Sequence, residues 1–568
     1  MRCVAGRKNI WQNCRQIAHG RRQRQRCKTA RPQPKRPLSI AMHQAEIIFL
    51  LFAAVAALVV VAHKLSLPYP IVLVISGLAL SFVPRLPEVK LNPEIVFYFF
   101  LPPLLYPAAL FTSWRDFRRN LRPILLLAIG LVLVTMVTVA WAAHTIVPEL
   151  PWAAAFALGA IVSPPDAIAA TAVIRRLSVP YRIEAILEGE SLVNDATALV
   201  ALQFAIAALM TGTFSLGHAT LRFVWAAAGG IAFGLLVGFA MRWVQRHLDD
   251  PPVQITISLL TPFAAYLPAE RLHVSGVLAT VAAGIFLGWH SPLMVSARTR
   301  LQVYAFWEIV VFLLNGFVFI VIGLQLPGIL RGLNSESLLG PIINALIISG
   351  AVILIRIVWV IPAMYLPRLL SKKLRERDPI PPWQQVAVVA WAGMRGVISL
   401  AAAFALPLAL SNGSAFPGRN YILFLAFSVI LATLVLQGLT LPVLIRKLGI
   451  KDDGVTDEEE RTARLEANKA AVGLIENLAA NDDFPRGVVD RLRAEYDERV
   501  QQLKLCAESQ DDPSGEIATP QYQRLQHEAL RIERQTIIRL RNEHVINDEA
   551  LRRIQRDLDL AEARLTGD

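Results

Sequence analysis

Thirteen apolar stretches, each near the length of a membrane span, follow one another along the chain: 44–62, 68–83, 93–111, 121–147, 152–174, 185–210, 219–241, 253–268, 274–289, 304–326, 339–367, 384–410 and 419–445. About 20 apolar residues cross a bilayer as a helix, because a helix satisfies its own backbone polar groups in lipid. The pattern predicts an all-α membrane protein of about 13 transmembrane helices. From Lys451 onward the pattern changes, and charged and amide residues dominate. Helical spacing there covers 456–480, 486–508, 520–543 and 547–565, separated by Asn481-Asp482-Asp483, by the DDPSG run at 511–515 and by Asn547. In the third stretch Leu530, Ile537 and Leu540 recur at helical spacing. The expected organisation is a membrane domain over 42–450 and a cytoplasmic helical domain over 451–568. That tail is either a folding or dimerisation bundle or a regulatory sensor.

Two of the apolar runs are interrupted. Ser163-Pro164-Pro165-Asp166 breaks the fifth, where two prolines remove backbone donors and stop the helix. Gly393-Met394-Arg395-Gly396 places a charge between glycines inside the twelfth. The two positions correspond if spans one to six are repeated as spans eight to thirteen. Interrupted helices at matching places in two inverted repeats point to a transporter's midplane site. An acid and a base there neutralise the half-helix ends that cross. Span six carries EGESLVNDATALVAL, in which Glu190 and Asn194, and likewise Ser191 and Asp195, are four residues apart and share a helix face. Ionisable groups at membrane depth are costly and persist where they face an ion or substrate path. Two such acids, Asp166 and Asp195, suggest a small-cation site.

Composition and charge narrow the picture. Of the 568 residues 54% are hydrophobic, and mean hydropathy is +0.46. The formal charge of +13 would suggest a nucleic-acid partner, but twelve Lys and Arg, with no acid, crowd into residues 1–41 and leave the rest nearly neutral. No nucleic-acid partner is expected. Counted over alternate loops, seventeen basic residues fall on one side and six on the other. Basic loops favour the cytoplasm, which puts the N-terminus outside and the C-terminus inside a cell membrane. The basic 1–41 segment would then have to cross first, so translation is expected to start at Met42. A disordered basic tail and a targeting segment are the alternatives. Cys3, Cys14 and Cys27 lie in that segment and Cys506 stands alone, so no disulfide framework, zinc site or cofactor follows. H-E-x-x-H and P-loop patterns are absent, and the two aspartates lack the Tyr-Asp and Gly-x-Gly-Asp contexts of an intramembrane protease. The expectation is a transporter, not an enzyme.

GESLVNDATA on span six, the Pro-Asp break on span five, LPPLLY from Leu101 to Tyr106 and GMRGVISLA on span twelve resemble one family. It is that of the monovalent cation/proton antiporters of the NhaP and sodium/hydrogen exchanger kind. The chain is similar to bacterial sodium/proton antiporters with a helical cytoplasmic tail, over Met42 to the C-terminus. The resemblance implies a homodimer exchanging Na⁺ or Li⁺ for H⁺, and the Asn194-Asp195 pair implies electroneutral 1:1 exchange. It also implies that Glu190 pairs with Arg356 on span eleven, which meets the expense of an unpaired intramembrane arginine.

The chemistry of the residues supports this mechanism. One carboxylate holds a proton or a dehydrated cation but hardly both, so Asp195 is assigned as the exchanging group. Ser191 Oγ and the Pro165 carbonyl complete a hard oxygen shell, with Na⁺ held at Asp195 and Asp166. Asp166 is a direct ligand, a water-mediated one or a neutraliser of helix ends. Asn194 is expected to hold the span-five break, and Arg395 to balance charge at the breaks. Glu308 either lines a cytoplasmic funnel or sits at a span end. Glu184 and Glu188 read as solvated acids at a helix start. Two features depart from the family pattern. Pro107-Ala108-Ala109 follow Tyr106 where relatives carry an acid, and Pro165 replaces a threonine. K⁺ instead of Na⁺ remains an alternative, as does a non-transporting ion or pH sensor.

Overall fold

The computed structural model describes residues 38–65, 67–82, 93–175, 177, 179–212, 216–248, 250–333, 338–410, 413–452, 454–480, 485–508, 518–543 and parts of 551–562. Most of the basic 1–41 segment lies outside them, as do Arg85, Lys90 and Arg176 of the loop comparison. The chain divides between Lys451 and Asp452 into two units.

In the first unit, among the described residues, helices occupy every apolar stretch. They are α1 (Leu38–Lys64), α2 (Tyr69–Ser81), α3 (Val96–Phe111), α4 (Leu121–Ile146), the pair α5 (Trp152–Val162) and α6 (Ala167–Ile174), α7 (Tyr181–Thr211), α8 (Leu216–Arg246), α9 (Pro251–Arg271), α10 (Gly276–Met294), α11 (Ala297–Leu324), α12 (Leu339–Leu370), the pair α13 (Trp383–Trp391) and α14 (Val397–Phe404), and α15 (Arg419–Lys447). Among the described residues seven helical stretches are long and apolar enough to cross a membrane, including α4, α7, α12 and α15. The segment is therefore a multi-pass membrane unit. Leu236, Trp225, Leu346 and Leu354 stand exposed on its helices, as side chains facing lipid would.

Local chemistry sets the helix ends. Prolines at 68, 151 and 180 stand before α2, α5 and α7, where a missing N–H and a fixed φ suit the start of a helix. α7 stops at Gly212, whose φ of 68° is the left-handed cap that a side chain would resist. Packing sorts the helices into groups. α4, α5 and α7 pack together, with α12 on α4 and α15 on α12; α3, α8, α9 and α10 form a second group; α11 lies along α1 and α2. Gly77 of α2 and Gly323 of α11 let those two backbones touch, since a Cβ at either would strike the other's main chain.

In the second unit α16 (Val455–Ala480) and α17 (Arg486–Glu508) pair, with Arg493 2.7 Å from Glu476. α18 (Ala518–Asn542) sets Leu530, Ile537 and Ile538 against Leu551 and Leu558. Arg534 donates to Asp559 and Glu562, both at 2.6 Å. The apolar stripe read from the sequence thus forms a small core, with Leu540 half-buried at its end.

Candidate functional site

The two broken helices meet at their breaks. Pro164 and Pro165 cannot donate, so the chain leaves α5 at Val162 and restarts at Ala167. The second break has no proline; Ala392–Gly396 runs irregularly between α13 and α14. The Asp166 N–H donates to the Met394 carbonyl at 2.7 Å, which joins one break to the other.

One acid and one base serve the four half-helix ends. Asp166 Oδ1 accepts from the Ile168 N–H at 2.9 Å, capping α6, and its carboxylate also accepts from the Val397 N–H, the first residue of α14. Arg395 is fully buried, and its Nε donates to the Val162 carbonyl at 3.1 Å, at the C-terminal end of α5. Its Nη1 donates to the Gly393 carbonyl, just beyond α13. Helix N-termini carry partial positive charge and C-termini partial negative charge, so each residue meets two ends of the sign opposite to its own. Gly396 makes this crossing possible: a Cβ there would run into the Asp166 carboxylate. The Arg395 N–H donates to Thr433 Oγ1 at 3.2 Å and ties the crossing to α15.

α7 passes beside the crossing. Asn194 Nδ2 donates to the Pro165 carbonyl at 2.9 Å, and the Ala167 N–H reaches Ser191 Oγ at 3.4 Å. One lone pair of the Pro165 carbonyl, expected as a ligand, is therefore used by Asn194. Asp195 is 4% exposed, and among the described residues no donor reaches its carboxylate. Glu190 points elsewhere, to Arg356 Nη1 at 2.7 Å and Nη2 at 3.0 Å. Arg356 also donates to the Val389 carbonyl, so this closed pair links α7, α12 and α13.

Asp195, Asp166 and Ser191 share a cavity of about 100 Å³. Pro165, Thr171, Gly396 and Ser399 line it as well, while α3 contributes only Leu101, Leu104, Leu105 and Ala108. The missing acid after Tyr106 leaves that wall apolar. Glu188, read from the sequence as a solvated acid at a helix start, is partly exposed and also lines this cavity. Its register was the available signal: Glu188, Ser191 and Asp195 lie three and seven residues apart, on one face. Glu308 is exposed on α11 and is not among the residues lining this cavity. A wider cavity of about 830 Å³ lies beyond Ala196 and Leu199. An apolar cluster of Leu101, Leu105, Ala196, Tyr266 and Val277 has members on both cavities and stands between them.

A family model described as "Sodium/hydrogen exchanger, transmembrane" matches residues 50–447. An uncharacterised Na⁺/H⁺ exchanger of Mycobacterium tuberculosis is 37% identical over 525 residues, covering 91% of this chain and 96% of that protein. A sodium, potassium, lithium and rubidium/H⁺ antiporter of Bacillus pumilus is 36% identical over 415 residues, 70% of this chain and 62% of that protein. The solved sodium proton antiporter MjNhaP1 from Methanocaldococcus jannaschii superposes with a TM-score of 0.57 at 19% identity, covering 72% of this chain and 99% of that one. The last likeness is one of fold.

Proposed function

Because the chain belongs to the sodium/hydrogen exchanger family, whose members exchange cations for protons across membranes, we propose that it exports Na⁺ or Li⁺ in exchange for one H⁺ at Asp195. The observation that carries this reading is a buried carboxylate that no donor among the described residues reaches, in a cavity with a hydroxyl and a second acid. Such a group takes its partner from outside the protein, either a proton or a hard cation. Asp166 faces the cavity too, but its carboxylate is engaged by the N-termini of α6 and α14. It serves as a fixed counter-charge, leaving one exchanging carboxylate, and one charge out for one charge in makes the cycle electroneutral. Asn194 holds the α5/α6 break in place, and Glu190, Arg356 and Arg395 keep the surrounding helices in register.

The apolar cluster between the two cavities suits alternating access, since the site then faces one side at a time. The cavity with Glu188 extends toward the Tyr181 end of α7, which the distribution of basic loop residues assigns to the cytoplasm. The protein acts, in this reading, as a homodimer in the cell membrane, with its C-terminal helices in the cytoplasm.

K⁺ is the second reading. The apolar α3 wall removes a charged ligand that would favour a small cation, and the Bacillus pumilus relative is named for potassium among other ions. Everted vesicles carrying the full chain and a pH-sensitive dye decide between them, with Na⁺, Li⁺ and K⁺ added in turn. A Na⁺ response indifferent to collapse of the membrane voltage is the expected result. A response to K⁺ alone selects the second reading. A response that tracks voltage removes the 1:1 stoichiometry, and no response to any cation removes antiport.

A further inference from the structure

Two glutamates flank Gly189 on α7 and have opposite surroundings. Glu190 is 1% exposed and closed on an arginine that is itself fully buried. Glu188 faces the ion cavity, and its partner is Arg175, whose Nη2 lies 3.0 Å from Glu188 Oε1. The same guanidinium donates from Nε to Glu184 Oε1 at 2.6 Å. The Arg175 side chain is 65% exposed, against 25% for Glu188 and 18% for Glu184. Water and ions reach this pair, and exposed pairs hold weakly. Two carboxylates share one guanidinium, so neither holds it alone. Asp116, which acts electrostatically on Tyr181 together with both glutamates, adds to the same field. Deeper in the same cavity, two helical turns or on the order of 10 Å away, is the carboxylate of Asp195. Arg175 is also the C-cap residue of α6, the half-helix whose other end Asp166 caps.

We propose that Glu188 is a transfer station between the Tyr181 end of the cavity and Asp195. An arriving cation displaces Arg175 from Glu188 and then moves to Asp195. The departing proton returns through the same carboxylate. Arg175 is thus a competitor for the station, and its grip sets how readily a cation enters. This inference rests on the antiport reading above.

The test uses the full chain in everted vesicles with Na⁺ as the probe. It compares the half-saturating Na⁺ concentration of the wild type with those of Glu188→Gln, Glu188→Asp and Arg175→Gln. Glu188→Gln removes the station and raises that concentration about 3–10-fold, as expected for losing one charge at this range. Glu188→Asp keeps the charge and restores most of the affinity. Arg175→Gln frees the station and lowers the half-saturating concentration, the opposite sign. On the other membrane face, measured in right-side-out vesicles, all three variants match the wild type. A pair that only braces the start of α7 would shift Glu188→Gln and Arg175→Gln in the same direction, or neither, and either pattern overturns the proposal. A wild type that exchanges none of Na⁺, Li⁺ and K⁺ overturns instead the antiport reading beneath it.

Discussion

Five residues apart on α7, Glu190 and Asp195 are both withdrawn from water, yet their surroundings differ completely. Glu190 has a bidentate arginine, and that arginine has a backbone carbonyl besides. Asp195 has a cavity and, among the described residues, no donor. Burial of a charge is therefore a poor guide to its role. Satisfaction is the better one: a closed pair holds helices together, and an open carboxylate waits for something mobile.

The sharpest way to break this comparison is Asp195→Asn, which keeps the shape and removes both the charge and the titration. Exchange is expected to fall to the vesicle background while the melting temperature of the purified protein is kept or raised. Retained exchange would take Asp195 out of the mechanism.

Glu190→Ala should do the reverse. It strands Arg356 without its partner, at a cost of about 3–5 kcal/mol, seen as a lowered melting temperature and poor accumulation in the membrane. Replacing both members of the pair by leucine should recover much of that loss, because no unpaired charge remains. If Glu190→Ala folded normally and lost only exchange, the contrast between the two acids would fail.

A smaller effect is expected of Gly396→Ala. The added methyl would overlap the Asp166 carboxylate and must push it aside by about an ångström, which slows turnover about tenfold or more with the fold retained. Unchanged turnover would mean that Asp166 has slack at the crossing.

Most of the helical layout was legible in the sequence, because lipid imposes one strong rule on every span. Apolar length marked the helices, and Pro164-Pro165 marked the first break through a property of proline that no context overrides. The second break was visible only as a charge between glycines. What the sequence did not reveal is which groups meet there. Arg395 bonds to Val162 across 233 residues, and Asp166 caps a helix from the other half of the chain. No local spacing encodes such a pairing; it arises when two half-helices cross. The place of Glu188 on the cavity wall was hidden for a related reason. Near a helix start an acid is ordinarily accounted for by the helix dipole and water, and only the shape of the cavity distinguishes it. Asn194 was easier, since a buried amide beside a proline break has few other partners to find.

The arginine contacts have a mechanical consequence. Arg356 fastens α7, α12 and α13 to one another, and Arg395 fastens α5, the α13–α14 break and α15. Through them α5, α7, α12, α13, the α13–α14 break and α15 are braced together, while α3 meets the cavity with apolar side chains alone. Pulling α7 from α12, or α5 from the α13–α14 break, would strand a buried charge, so this block resists being reshaped. In the antiport cycle proposed above, a displacement of this block along the apolar α3 wall would leave both arginines paired, whereas reshaping the block would not.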